Sequence, residues 1–339
     1  MIRTTIIGLG KMGMSHCAIL GAHPDVEVVG VCDTDGLVQS AFNKLTNIPF
    51  YNDYKSMIER ERPDAVYVVT PTKLHGEMVT FALEHGCHVF CEKPFSLTTA
   101  EGERMVELAA RTGLVNQVGY VNRFMGTFNE MRRLLAAGVI GRPFHFMGEN
   151  YGPVVLKRKG GMWRSDRSSG GGCLMDYAAH ILDLIDYVTG SVIVSCRGTF
   201  MPSVFSSNVE DGVYSTLRLA NGLQGQLAVN WSDPTYRKAT TSLKIEGDAG
   251  KLEADATTLK IFVNNDCPDE GLVRGWNIRH LTDFTPQVFF NLRGEEFSLE
   301  NDHFVRCILD NTPAANRCSF ADALHTDRII EQLLNDAKP

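Results

Sequence analysis

Three groups of residues in this sequence have the types and spacing for chemistry. The first is Gly8-Leu9-Gly10-Lys11-Met12-Gly13, which follows a strand-like run and opens a helical pattern. By itself a GxGxxG is weak, because glycine is common in turns; the strand before it and the helix after it carry the reading. The first glycine permits a tight turn, the second lets backbone approach a pyrophosphate, and the third lets the helix pack on the strand. The pyrophosphate then sits on a helix N-terminus, where free N–H groups and the dipole favour an anion. Asp33 closes the next strand-like run, where a carboxylate accepts hydrogen bonds from an adenosine ribose. Thr34-Asp35 adds negative charge instead of an arginine, so NAD is favoured over NADP.

The second group is Cys91-Glu92-Lys93-Pro94, at the end of a further strand-like run. A lysine there points into the crevice of a nicotinamide, and proline stops the strand. The bland alternative is a solvated lysine in a turn, which a preceding GxGxxG weakens. The third group is Asp176 and His180, four residues apart after Gly170-Gly171-Gly172. That spacing puts both on one helix face, and a carboxylate beside an imidazole suits proton transfer near neutral pH. Asp183 either orients the imidazole or joins a polar face. The bland reading is a helix with a wet side, but Leu174, Ile181, Leu184, Ile185 and Val188 mark it as packed. Thr70-Pro71-Thr72-Lys73-Leu74-His75 also follows a strand; Thr72 suits a helix cap, and His75 either touches the cofactor or satisfies a local carbonyl.

These residues need elements to hold them. Ile2–Ile7, Val26–Cys32 and the runs 65–69, 87–91 and 114–118 are rich in Val and Ile and too short for helices, so they read as buried strands. Amphipathic segments lie between them near 11–22, 35–45, 53–60, 74–85 and 98–112. Alternating strand and helix predicts a parallel, doubly wound sheet with its crevice at the strand carboxyl ends. After about residue 123 the texture changes. Helical patterns near 127–137 and 173–188 are followed by strand-like stretches near 192–200, 212–219, 223–231, 240–246 and 251–263, which predicts a mainly antiparallel sheet. Two helical patterns, near 300–311 and 320–336, end the chain, and 264–288 has no clear assignment. The expected domains are 1–123 for the dinucleotide and 124–339 for substrate and assembly, in an α/β fold.

The chain has 339 residues with 33 basic and 40 acidic side chains, a net charge of −7. That balance argues against a nucleic-acid partner. No stretch reaches the length of a membrane helix, and the N-terminus has no signal-peptide pattern. The nine cysteines are scattered without a CxxC pair, so reduced thiols in a cytoplasmic protein are expected. Cys87, His88 and Cys91 match no zinc spacing, and no metal is expected. No GxSxG motif is present. The basic run Lys157-Arg158-Lys159 reads as a solvated loop, with a loop touching an anionic substrate as the alternative.

GxGxxG with Asp33, TPTKLH at 70–75, CEKP at 91–94, GYVNRF at 119–124, GVIG at 138–141 and GGGCLMDYAAH at 170–180 occur in that order. The pattern resembles the glucose–fructose oxidoreductase / inositol dehydrogenase (Gfo/Idh/MocA) family over roughly residues 1–250. The resemblance implies an N-terminal Rossmann domain and a C-terminal α/β domain whose open, mostly antiparallel sheet commonly forms dimers and tetramers. It implies hydride transfer between NAD and a secondary alcohol of a sugar, cyclitol or nucleotide-sugar. Lys93, Asp176 and His180 correspond to the family's catalytic set, with His180 as acid/base on the hydroxyl and Lys93 stabilising the oxygen. The cofactor set becomes Gly8, Leu9, Gly10, Lys11, Met12, Gly13, Asp33, Thr70, Pro71, Thr72, His75, Glu92 and Lys93. The substrate set becomes Lys93, Asn122, Arg123, Trp163, Arg164, Asp176 and His180.

There are departures. The family often has Asn where Thr72 stands, and inositol dehydrogenases tend to have two adjacent arginines where this chain has Asn122-Arg123, which points away from inositol. Trp163-Arg164 matches a position lining the substrate pocket. Two alternatives use the same fold: redox-neutral glycoside cleavage with transiently reduced NAD, and a non-catalytic dinucleotide sensor. The intact Lys93, Asp176 and His180 argue against the sensor.

Overall fold

A computed structural model describes residues 1–157 and 163–338, the side chains of Trp163 and Ala314 excepted. The first third alternates as its composition dictates: β1 (Ile2–Ile7), α1 (Lys11–Gly21), β2 (Val26–Cys32), α2 (Gly36–Leu45), β3 (Phe50–Tyr51), α3 (Tyr54–Glu61), β4 (Ala65–Val68), α4 (His75–Glu84), β5 (His88–Cys91), α5 (Thr99–Thr112) and β6 (Asn116–Val118). The six strands pair in parallel in the order β3-β2-β1-β4-β5-β6. The order reverses between β1 and β4, which makes their carboxyl ends the binding crevice. Side chains start three of the helices. Asp35 accepts from Leu37 N and Val38 N, Asp53 from Ser56 N, and Thr98 from Glu101 N.

The chain continues with α6 (Gly126–Ala136), β7 (Pro143–Tyr151), α7 (Ala179–Thr189), β8 (Ile193–Phe200), β9 (Gly212–Leu219), β10 (Gln224–Asn230), β11 (Thr240–Gly247), β12 (Gly250–Asp255), β13 (Thr258–Val263), β14 (Gly275–His280), α8 (Glu295–Leu309) and α9 (Phe320–Asp336). The eight strands β7–β14 form one sheet in the order β14-β13-β12-β11-β7-β10-β9-β8, antiparallel except for β7 and β10. The expected single strand at 251–263 is a hairpin: the Asp255 carboxylate accepts from Thr257 N at 2.7 Å and Thr258 N at 3.0 Å, which folds the chain back. β14 lies in the segment that had no assignment, and β7 was not anticipated at all. The buried positions of β7 are Phe146, Gly148 and Asn150, so its inner face lacks the apolar alternation that announces a strand.

Contacts divide the chain into two compact units. One is Met1–Val121 with Gln287–Leu324; the other is Asn122–Pro286 with the residues from His325 onward. The second expected domain, 124–339, is therefore interrupted, because 287–324 completes the core of the first unit. In that core Tyr67 stacks on Phe90 with ring centroids 4.6 Å apart, and Phe304 of α8 meets both edge-on, at 5.5 and 5.9 Å. Val118 N donates to Cys318 O at 2.9 Å. In the second unit α6 and α7 pack on one face of the sheet. Gly148 leaves the room for α7, since a Cβ there would lie 2.8 Å from Ile185 Cδ1. The opposite face carries charge ladders, with Lys244–Glu149 at 2.9 Å and Lys251–Glu246 at 3.2 Å.

Candidate functional site

In the first unit the glycine loop joins β1 to α1, and backbone crowding sets its sequence. Gly8 has φ +93°, and a Cβ there would stand 2.5 Å from Val69 O; a Cβ on Gly13 would strike the Gly8 carbonyl. At Gly10 a Cβ would meet nothing within 4 Å. Gly10 is the N-cap of α1, and among the described residues no side chain caps this helix and no acid sits in its first turn. The helix N-terminus thus offers N–H groups and positive dipole beside open space, which fits a pyrophosphate. Leu9 is buried with its N–H donating to Asp33 Oδ2 at 2.6 Å, and Asp35 N donates to Asp33 Oδ1 at 2.9 Å. A carboxylate has about four acceptor sites, so Asp33 is held in place with capacity left for ribose hydroxyls. Lys11 is exposed and Met12 half-buried. These residues fit the adenosine end of a dinucleotide.

The loop after β4 departs from one expectation. Thr72 is buried in a 3-10 turn, Thr72–Leu74, and the first turn of α4 receives no side-chain cap from it; the N-cap is Leu74. The turn closes through Leu74 N donating to Pro71 O at 2.9 Å. His75 is fully buried, its Nε2 2.9 Å from Thr70 O and its Nδ1 3.2 Å from Phe95 O. His75 thus meets two local carbonyls. Burial pushes its pKa down, opposed by those backbone contacts, and the ring braces the Thr70 loop against the Phe95 loop. After β5, Lys93 is half-buried. Glu92, expected in the cofactor set, has both carboxylate oxygens engaged within the protein instead: Oε2 accepts Lys93 N at 3.1 Å and Oε1 meets His16 Nε2 at 3.0 Å.

In the second unit the helix predicted over 173–188 starts irregularly. Leu174–Ala178 is a π-helical turn carrying Asp176, and α7 begins at Ala179 with His180 in its first turn. π-turns concentrate at functional sites because they re-aim side chains. Three contacts hold this one. Glu210 Oε1 accepts Leu174 N at 2.8 Å, Cys173 N donates to Glu210 O at 3.1 Å, and Asn150 Nδ2 donates to Tyr177 O at 3.0 Å. Burial raises the Glu210 pKa above its ordinary value, opposed by the backbone N–H groups of Leu174 and of Glu210 itself and by Arg167, whose Nη2 lies 2.6 Å from Oε2. Arg164 Nε donates to Asp176 Oδ2 at 3.0 Å, so a predicted substrate residue and a predicted catalytic one are brought together. Asp176 is buried and His180 half-buried.

Asp183 does not serve as a free polar face. Arg123, 6% exposed, grips it through Nε at 2.9 Å and Nη2 at 2.7 Å and lies over the Tyr187 ring at 5.2 Å. Asn122 is buried beside it in the sequence. The side chain of Trp163 and residues Arg158 and Lys159 of the basic run lie outside the described residues. Sequence reasoning missed Glu210, Asn150 and His16. Only His16 left a local signal, a histidine three residues past the last glycine of the motif.

The cysteines among the described residues are free thiols. No group of three His, Cys, Asp or Glu side chains among them is placed to hold a metal ion, and no described helix is long and apolar enough to cross a membrane.

Comparison with known proteins agrees with this fold. Residues 2–120 match the family described as "Oxidoreductase family, NAD-binding Rossmann fold", and residues 128–253 match the "GFO/IDH/MocA C-terminal domain". The chain is 30% identical over 244 residues to D-glucoside 3-dehydrogenase of Escherichia coli (strain K12), covering 65% of this chain and 68% of that protein. It is 30% identical over 199 residues to scyllo-inositol 2-dehydrogenase (NAD(+)) of Bacillus subtilis (strain 168), covering 58% of this chain and 56% of that one. The solved structure of a levoglucosan dehydrogenase in complex with NADH shares its fold, with a TM-score of 0.87 at 22% identity over 99% of this chain and 96% of that one. The fold and site define an NAD-binding oxidoreductase. The chain belongs to the Gfo/Idh/MocA family.

Proposed function

We propose that this protein oxidises a secondary alcohol on the ring of a sugar, cyclitol or nucleotide-sugar with NAD, or runs the reverse reduction. The observation that carries the reading is the uncapped N-terminus of α1 beside an immobilised Asp33, in a chain that also keeps Lys93, Asp176 and His180. NAD in that cradle supplies the hydride acceptor. Gly8–Gly13 and Asp33 hold its adenosine and pyrophosphate, and the carboxylates of Asp33 and Asp35 disfavour a 2′-phosphate. His180 takes the hydroxyl proton, Lys93 donates a hydrogen bond to the same oxygen as its negative charge grows, and Asp176, aligned by Arg164, orients the substrate. The dehydrogenase relatives named above act on a glucoside and an inositol, which supports a ring polyol as substrate class.

The test is a spectrophotometric screen in which free and nucleotide-linked sugars, cyclitols and sugar acids are offered with NAD. NADH formation with one of these classes is the expected result. Glycoside cleavage with retained cofactor and no net NADH would replace this reading by the redox-neutral one, and NAD binding without either reaction would make the protein a sensor.

The same reading includes a cytoplasmic homodimer or homotetramer, formed through the uncovered face of the eight-stranded sheet. Trp276 and Ile278 are more than half exposed there, next to the charge ladders. A monomer by light scattering would overturn it.

A further inference from the structure

His16 has no part in the reading above, yet it is the centre of a buried polar chain in the first unit. It sits on α1 and is fully buried. Its ring is flanked by Tyr67 and Phe90, with centroids 5.6 and 5.0 Å away. Both ring nitrogens face oxygen. Nε2 lies 3.0 Å from Glu92 Oε1, and Nδ1 lies 3.2 Å from Asn301 Oδ1. The Asn301 amide is oriented by its own Nδ2, which donates to Phe297 O at 2.7 Å. Both ring nitrogens are thus engaged within the protein.

The far end of this chain is the lysine turn. Glu92 Oε2 accepts the backbone N–H of Lys93 at 3.1 Å. Burial works against charge on Glu92, but the His16 hydrogen bond and the neighbouring charges of His16 and Lys93 leave its pKa below the ordinary value. A carboxylate, with acceptors on both oxygens, is therefore what bridges the ring and the amide. Gly119 makes room for it: a Cβ there would lie 3.2 Å from Glu92 Cδ and Oε2. The turn that carries Lys93 is thereby tied to the helix whose N-terminus fits the pyrophosphate.

We propose that His16 and Glu92 are positioning residues, which fix the backbone of Lys93 and so the direction of its side chain, with Asn301 anchoring the ring. The proposal rests on the assignment of Lys93 to catalysis given above. Misplacing a catalytic group by a fraction of an ångström lowers turnover more than it lowers binding.

The experiment uses the full chain with NAD and the most active sugar of the screen. Glu92→Gln is nearly isosteric; Gly119→Ala only presses on the carboxyl group and removes no hydrogen-bonding atom. We expect Glu92→Gln to lower kcat about tenfold and Gly119→Ala several-fold, with NADH affinity by fluorescence titration and KM for the sugar within about threefold of wild type. His16→Gln combined with Glu92→Gln is expected to lose no more than the worse single variant, because both act through one chain. The proposal is overturned if Glu92→Gln and Gly119→Ala turn over at the wild-type rate, or if NADH affinity falls in proportion to kcat. It is equally overturned if the losses in the double variant multiply. Lys93→Ala is measured alongside. Wild-type turnover in that variant removes the assignment of Lys93 itself; a loss there without a loss in Glu92→Gln removes only the positioning role.

Discussion

Two glycine-rich turns lead into helices in this protein, and they do opposite things. At Gly8–Gly13 the glycines make room for backbone: Gly8 faces the Val69 carbonyl and Gly13 faces the Gly8 carbonyl. The helix that follows starts uncapped, with open space at Gly10. At Gly170–Gly172 the last glycine makes room for a side chain. Gly172 has φ +112°, and a Cβ there would meet Glu210 Oε1, which already accepts Leu174 N. The first helix start is left uncapped, while the second is filled by the protein's own carboxylate. A glycine turn before a helix therefore marks a place of close approach, and the neighbouring charge decides whether a ligand or the protein takes it.

This contrast can be broken experimentally. The largest effects are expected at the groups proposed to react. His180→Ala should cost roughly 10²–10⁴ in kcat if it is the acid/base, and Lys93→Ala should lose turnover on a similar scale with NAD binding nearly intact; a small or pH-independent effect of His180→Ala would remove its role. Next is Gly13→Ala, whose Cβ forces the first loop apart at backbone. NAD affinity by calorimetry should fall about 100-fold or more, on the order of 3 kcal/mol; unchanged affinity would refute the pyrophosphate cradle. Asp33→Ala should weaken NAD about tenfold, the scale of one charge-assisted hydrogen bond, and should relax discrimination against NADP.

Gly172→Ala is the matched perturbation at the second loop. It meets only a carboxylate tip, plus backbone strain of about 1–3 kcal/mol. It should lower the melting temperature and leave NAD affinity unchanged; a loss of NAD affinity would erase the distinction between the loops. The smallest effect concerns Asp186 of α7. Burial first, and then the nearby Asp183 charge, push its pKa up to about 7, against the N–H of Ile193 and the charge of Arg123. A carboxyl group with a raised folded pKa binds its proton more tightly in the native state, so its stabilising contribution is full below the unfolded value of about 4 and is lost as pH rises through about 7. Asp186→Asn should flatten the decline in melting temperature over that window, by a few degrees. An identical pH profile in both proteins would contradict the shift.

Much of the first unit was legible because its signals are local. β1, the glycine turn and α1 follow one another in sequence, and their apolar periods and glycine spacing carry the geometry directly. Asp176 and His180 were singled out on an equally local signal, their spacing of four residues. The π-turn beneath them was not legible, since it depends on Glu210, whose carboxylate acts 36 residues away from Leu174. β7 escaped for a related reason. Gly148 and Asn150 are chosen for Ile181, Ile185 and Tyr177, so their identity reflects a partner helix and not a strand pattern. The return of α8 to the first unit was equally hidden, because an amphipathic stripe states that a helix packs but not on which core.

The sequence by itself determined the α/β class and the glycine turn between β1 and α1, and it singled out Asp33, Lys93, Asp176 and His180 as the candidates for the site. Each depends on residues close together in the chain, where backbone geometry fixes what neighbours can do. Only the tertiary structure decided which carboxylate occupies which helix start, that Arg123 belongs to Asp183, and that His16 reaches Glu92 and Asn301 across 76 and 285 residues. Those are matters of burial. A buried charge or ring must find its partner wherever the fold brings one, and spacing along the chain holds no record of that distance.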